Sequence, residues 1–170
     1  MHKLLYILPF LLFACAEEPE PEVPEVNWTK QNSTDLGKEL AIQAEIEIKL
    51  FLEGHKDWDV VKTGSGLQYY IYERGEGDSI RSGDVAEIEY IISTLDGTEC
   101  FKTEDDEYED LRVDQSEIET GVQEGLKLMR VGDKAKLIIP SHIGHGLVGD
   151  MDKVPPLTTL LVDLKVLGKK

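Results

Sequence analysis

The run GVQEGLKLMRVGDKAKLIIPSHIGHG, from Gly121 to Gly146, constrains the fold more than any other part of the chain. Ile118, Val122, Leu126 and Met129 recur at helical spacing, which predicts a helix over Ser116 to Met129 with one apolar stripe. Ser116 and Glu119 have the spacing of a capping box, in which two side chains satisfy backbone N–H groups that a first helical turn leaves free. Val131-Gly132-Asp133 turns the chain at once, and KAKLIIP, Lys134 to Pro140, reads as a strand. A helix with one apolar face, followed after a tight turn by an apolar strand, must fold back onto that strand to bury both.

Short strands surround this unit. LQYYIYERG sets Leu67, Tyr69 and Ile71 on one face, RSGD makes a turn, and VAEIEYIIS alternates through Val85, Ile88 and Tyr90. Asp96-Gly97 signals a hairpin. Lys102 to Asp110 is a polar loop or bulged edge, Leu111 to Val113 a short strand, and His142 to Asp150 a glycine-rich loop, before TTLLVDLKVL closes the sheet. One short helix among antiparallel strands gives an α+β domain whose sheet wraps the helix.

The N-terminal third is organised differently. A short basic start precedes the apolar run Leu4 to Ala14, which has the length of a signal-peptide core, and Cys15 closes it. Leu12-Phe13-Ala14-Cys15 resembles a bacterial lipobox, in which the cysteine is lipidated and becomes the new N-terminus. Several acyl chains on one residue hold a protein firmly to a membrane. AEEPEPEVPEV follows as an extended, solvated spacer. The expected order is thus a leader at 1–14, a lipidated Cys15 with its linker at 15–33, a helix at 34–54 and a folded domain at 66–170. In that helix Thr34 or Ser33 supplies the cap, Leu36 and Leu40 share a face, Ile42, Ile46 and Leu50 recur at spacing four, and Gly54 suits the end. So wide an apolar surface calls for a cover, either the following domain or a second copy of the chain as a homodimer.

Thirty-four acidic residues against 18 basic ones leave a net charge of -16, which argues against nucleic acid and against direct contact with anionic lipid. Cys15 belongs to the leader signal, so it and Cys100 do not read as a disulfide pair. No CxxC, zinc-type cluster or phosphate loop appears, and His142 and His145, three apart, are too few for a metal site. No cofactor is expected.

These elements together resemble the FKBP-type peptidyl-prolyl isomerases from about Gly66 to Leu167. The resemblance rests on Gly121, Gly125-Leu126, Met129, Gly132-Asp133, Ala135 to Leu137 and Gly146. It continues through Val154-Pro155-Pro156 with Thr159-Leu160 and Asp163, and through GLQY, RSGD and the strand ending at Tyr90. The resemblance implies an FKBP-like sheet around one short helix and a pocket that accelerates rotation about Xaa-Pro bonds. That barrier is about 18–20 kcal/mol. No bond breaks, so neither nucleophile nor metal is needed. An apolar, water-poor pocket favours the twisted amide, whose carbonyl is less polar than in the planar ground state.

Carried over residue by residue, the resemblance makes Tyr90 the pocket tyrosine and Ile118 an aliphatic wall. It makes Glu119 the residue whose backbone N–H binds the peptide, and Val154 a rim aliphatic. Val122 stands where the best-known members have a tryptophan floor, His145 where they have a rim tyrosine, and Val162 where they have an inner phenylalanine. By count from Asp96-Gly97, Cys100 takes the place of the pocket phenylalanine and Phe101 that of an aspartate. With one inserted residue, Phe101 is the pocket phenylalanine and Lys102 replaces the aspartate. Cys100, Leu111 and Val113 join the peptide-contacting set. His145 is a candidate donor to substrate, and the acidic loop Glu104 to Asp110 favours peptides with basic flanks. The resulting expectation is a peptidyl-prolyl cis-trans isomerase, lipid-anchored in the cell envelope, outer membrane rather than inner. Its clients would be proline-containing exported polypeptides. In character it is similar to gliding-motility-associated FKBP-type lipoproteins. The alternative is a non-catalytic proline-peptide-binding module or chaperone of an envelope assembly.

Overall fold

A computed structural model describes residues 29–170. Cys15 and the Pro/Glu spacer therefore lie outside the described residues. The chain runs through α1 (Lys30–Glu53), β1 (Val61–Lys62), β2 (Gln68–Glu73), β3 (Val85–Thr94), β4 (Glu99–Lys102), β5 (Glu109–Arg112), α2 (Thr120–Leu126), β6 (Lys134–Ile139), a 3₁₀ turn (Ser141–Ile143) and β7 (Leu160–Lys169). The strands make one antiparallel sheet in the order β1-β2-β6-β7-β3-β4, and β5 also pairs with β3. The far edge of β3 is thus shared: β5 takes Val85 to Ile88, and β4 takes Ile91 to Ser93.

Alternation along the strands places the core. Ala86, Ile88 and Ile92 of β3, Leu137 and Ile139 of β6, and Leu160, Val162, Leu164 and Val166 of β7 are buried with Val122 and Leu126 of α2. Leu67 is buried here too, with Tyr69 and Ile71 packed against it, as their shared face predicts. Val85 does not share the face of Ile88 and Tyr90. It lies three residues from Ile88, and a strand repeats every two, so it points the other way and is half-buried. Asp96-Gly97 does form the β3–β4 hairpin, with Gly97 at φ 90° where a side chain would be strained.

The helix α2 lies close to the sheet because two of its residues lack side chains. A Cβ on Gly121 would sit 2.5 Å from Ile139 Cγ2, and one on Gly125 would sit 2.5 Å from Leu137 Cδ1. Gly125→Ala is expected to cost about 1–3 kcal/mol through overpacking. A urea titration checks this; an unchanged midpoint would mean that Leu137 moves aside freely.

The two helices depart from their predicted bounds for identifiable reasons. Helix α2 starts at Thr120, not at Ser116, and there is no capping box. Ser116 Oγ donates to the Arg112 carbonyl at 2.8 Å, and the Glu119 carboxylate turns away to His145. Gln123 reaches back instead. Its Nε2 donates to the carbonyls of Ser116 and Ile118 at 3.0 and 3.1 Å, and its Oε1 accepts from the Asp114 N–H at 2.6 Å. These bonds hold residues 116–118 outside the helix as a separate wall. Helix α1 begins earlier, at Lys30, so Ser33 and Thr34 are interior positions. Their hydroxyls donate to the carbonyls of Thr29 and Lys30, four residues back.

Helix α1 lies against part of the other face of the sheet, beside β1, Gln68 and Pro140. Ile138 points away from the face of Leu137 and Ile139, yet it is buried. Ala44 and Ile48 of α1 are buried too, and all three lie outside the inner core. Leu36 and Leu40, at spacing four from these, are half-buried. The helix is tied down by Thr159 Oγ1, which donates to Glu47 at 3.0 Å, and by Lys62 Nζ, 2.6 Å from Glu45. The second predicted stripe stays in solvent, with Ile42, Ile46 and Leu50 at 59%, 49% and 62% exposure. Among the described residues, no helix is long and apolar enough to cross a membrane.

Candidate active site

A cavity of about 580 Å³ opens on the inner side of the sheet, between β3, β4, β5 and the wall that precedes α2. Tyr90 and Ile92 reach it from β3, Phe101 from β4, and Leu111 from β5. Ile118 and Glu119 reach it from the wall, and Gly144 and His145 from the loop after β6.

Phe101 enters the cavity because β4 carries a bulge. Ile92 pairs with Phe101 and Ser93 with Glu99, which leaves Cys100 as the extra residue. Phe101 thereby shares the face of Ile92, while Cys100 turns into the core with 4% exposure. Phe101, and not Cys100, therefore lines the cavity. Lys102, where the resemblance places an aspartate, is exposed.

A carboxylate meets Tyr90 from the neighbouring strand β5. The Tyr90 hydroxyl donates to Glu109 Oε1 at 2.8 Å. β5 runs antiparallel to β3 with Glu109 opposite Ile88, two residues from Tyr90 on the same face, so the pair is a diagonal neighbour across the ladder. Burial, and then the bond to Glu109, push the Tyr90 phenol up from 10.0 to about 12. The folded state favours the neutral phenol, so this contribution to stability is complete below pH 10 and is lost as the pH rises toward 12. In a 295 nm titration, the wild type minus Tyr90→Phe difference should show no tyrosinate below about pH 11. A transition near pH 10 would mean that the bond is not held in solution.

His145 and Glu119 meet across the mouth. His145 Nε2 lies 2.6 Å from Glu119 Oε1, a close contact without the alignment of a hydrogen bond. The Glu119 side chain is only 8% exposed. Above the cavity, Asp150 Oδ1 accepts from the N–H groups of Asp152, Lys153 and Val154, folding that loop back. Lys153 Nζ then sits 4.8 Å over the Phe101 ring. His142 faces elsewhere, its Nε2 2.9 Å from the Ser65 carbonyl. Among the described residues, no three His, Cys, Asp or Glu side chains are grouped to hold a metal ion.

The sequence model of the family described as FKBP-type peptidyl-prolyl cis-trans isomerase matches residues 77–167, more than half the chain. This protein belongs to the FKBP-type peptidyl-prolyl isomerase family. The FKBP-type peptidyl-prolyl cis-trans isomerase FkpA of Buchnera aphidicola subsp. Schizaphis graminum is 34% identical over 134 residues, covering 78% of this chain and 51% of that protein. A probable FKBP-type isomerase of Haemophilus influenzae is 32% identical over 119 residues, covering 70% and 49%. The chain thus spans about half the length of the curated relatives it matches. The crystal structure of FkpA from Escherichia coli superposes with a TM-score of 0.66 at 28% identity, covering 83% of this chain and 66% of that one.

Within this FKBP-type domain, the residues expected at the site divide into two groups. Tyr90, Phe101, Leu111, Ile118, Glu119 and His145 line the cavity together. Cys100, Val113, Val122, Val154 and Val162 are buried in the core and lie outside its lining. Val122, 2% exposed, does not reach the lining; Ile92 and Leu111 are the buried aliphatics that do. Sequence reasoning missed Ile92, Glu109, Asp110 and Glu117 as lining residues. Ile92 was within reach, since it continues the alternation of Ile88 and Tyr90.

Proposed function

We propose that this protein catalyses cis-trans isomerisation of Xaa-Pro bonds in exported polypeptides. The observation that carries the reading is the cavity walled by Tyr90, Phe101 and Ile118, with Glu119 beside them. The Glu119 backbone N–H donates to no described residue, so it is free to take a peptide carbonyl. A proline ring seated against these side chains leaves water, and the amide twists in an environment that favours its less polar form. The leader ending at Cys15 and the acidic spacer support a lipid-anchored protein facing out from an envelope membrane, similar to gliding-motility-associated FKBP-type lipoproteins. The exposed stripe Ile42, Ile46 and Leu50 is the face through which a second copy would pair.

Exchange NMR on short Xaa-Pro peptides tests the activity. Isomer exchange should quicken in proportion to added protein and collapse with Tyr90→Ala. One observation favours a second reading, a module that grips proline segments without turnover: the buried side chains of the lining, Ile92 and Leu111, are aliphatic, and only Tyr90 and Phe101 bring aromatic rings. Peptide binding without faster exchange would select that reading.

A further inference from the structure

We propose that Glu117 selects client segments that carry a lysine or arginine beside the proline. The proposal rests on the proline-site reading above and names the substrate class of that cavity.

Four carboxylates line the cavity: Glu109, Asp110, Glu117 and Glu119. Three are already engaged. Glu109 accepts from the Tyr90 hydroxyl, Asp110 from Lys170 Nζ at 3.0 Å, and Glu119 faces His145. Glu117 forms no hydrogen bond or ion pair with any described residue. The cations nearby are spoken for as well. Lys170 Nζ also lies 2.9 Å from Glu87, and Lys153 rests over Phe101. A positive group arriving with the peptide therefore meets one carboxylate that holds no partner and displaces nothing to reach it, whereas Glu109 keeps its charge but is held by the Tyr90 hydroxyl.

Position limits which client residue can do this. Glu117 precedes Ile118, an apolar wall, and Glu119, whose N–H is free for the peptide backbone. Two residues span at most about 7 Å, within the reach of one long basic side chain. The selected cation thus belongs to a residue next to the Xaa-Pro pair, not to a remote part of the client. Glu104 to Glu107, all exposed, add to the negative field of the chain and aid approach.

The test uses the full chain and two peptides that differ only in the residue before the Xaa-Pro pair, lysine in one and glutamine in the other. Exchange NMR reads acceleration, and a chemical-shift titration reads affinity. At low salt the lysine peptide should be favoured roughly two- to fivefold in affinity, as one solvent-exposed ion pair allows. The preference should vanish in Glu117→Gln and shrink in about 0.5 M salt. Glu39→Gln removes the same charge from exposed α1 and should leave the preference intact. Equal affinities in the wild type, or equal damage from both substitutions, would overturn the proposal in favour of general attraction to an acidic protein. If neither peptide is accelerated but both bind, the isomerase reading falls while the affinity ratio still decides the role of Glu117. Should neither peptide bind, both readings fall.

Discussion

Asp133→Ala should lower the unfolding free energy by about 2–5 kcal/mol, the largest stability loss expected from a single side chain here. The Asp133 residue is fully buried. Its Oδ1 accepts from the Gly75 N–H at 2.6 Å, and its Oδ2 accepts from the Arg130 N–H at 2.9 Å and from Arg74 Nη1 at 3.0 Å. One carboxylate thus joins the turn after β2 to the turn before β6. Removing it orphans two backbone donors at about 1–3 kcal/mol each, while the half-exposed Arg74 adds little. Asp133→Asn keeps acceptor capacity at one oxygen and should lose less. Denaturant midpoints for the three proteins check the order; an alanine variant within about 1 kcal/mol of wild type would show that water replaces the carboxylate.

The second large effect falls on activity. Phe101→Ala should reduce kcat/KM for Xaa-Pro exchange about tenfold. Tyr90 and Phe101 are the aromatic residues in the lining, because Val122 and Val162 have no aromatic ring and are buried elsewhere. A proline ring resting on Phe101 buries roughly 60 Å² of apolar surface, worth about 1.5 kcal/mol. Contact of that kind is made in the ground state and in the transition state alike, so KM should rise more than kcat falls. Cys100→Ala is the matching control. It trims the side chain of the adjacent bulge residue, which points into the core, and should cost some stability while leaving exchange near the wild-type rate. Should both variants lose activity alike, the bulge rather than the ring would be what matters.

The main architecture was legible in the sequence because it depends on local spacing. The apolar alternation of β2, β6 and β7, the Asp96-Gly97 hairpin and the stripe of α2 all follow from side chains a few residues apart. What escaped depends on partners distant in sequence. Periodicity finds two apolar stripes on α1 but cannot say which one meets the sheet. The spacing of Ser116 and Glu119 is that of a cap, yet Gln123 and His145 claim the surrounding groups first. An alternating strand keeps no record of an extra residue, so the bulge at Cys100 emerged only from the pairing of β3 with β4. Glu109 was hidden for the same reason: its link to Tyr90 exists only because β5 lies beside β3 in that register.

Helix α1 and the cavity sit back to back. The helix is tied to the outer side of the sheet through Lys62 and Thr159, and the cavity opens on the side of α2. Whatever grasps the bare isoleucine and leucine row of α1 approaches from behind. It has no need to compete with a client for space. Attachment and turnover can therefore proceed together, and a docked molecule would present its cavity outward like a tool held by the handle.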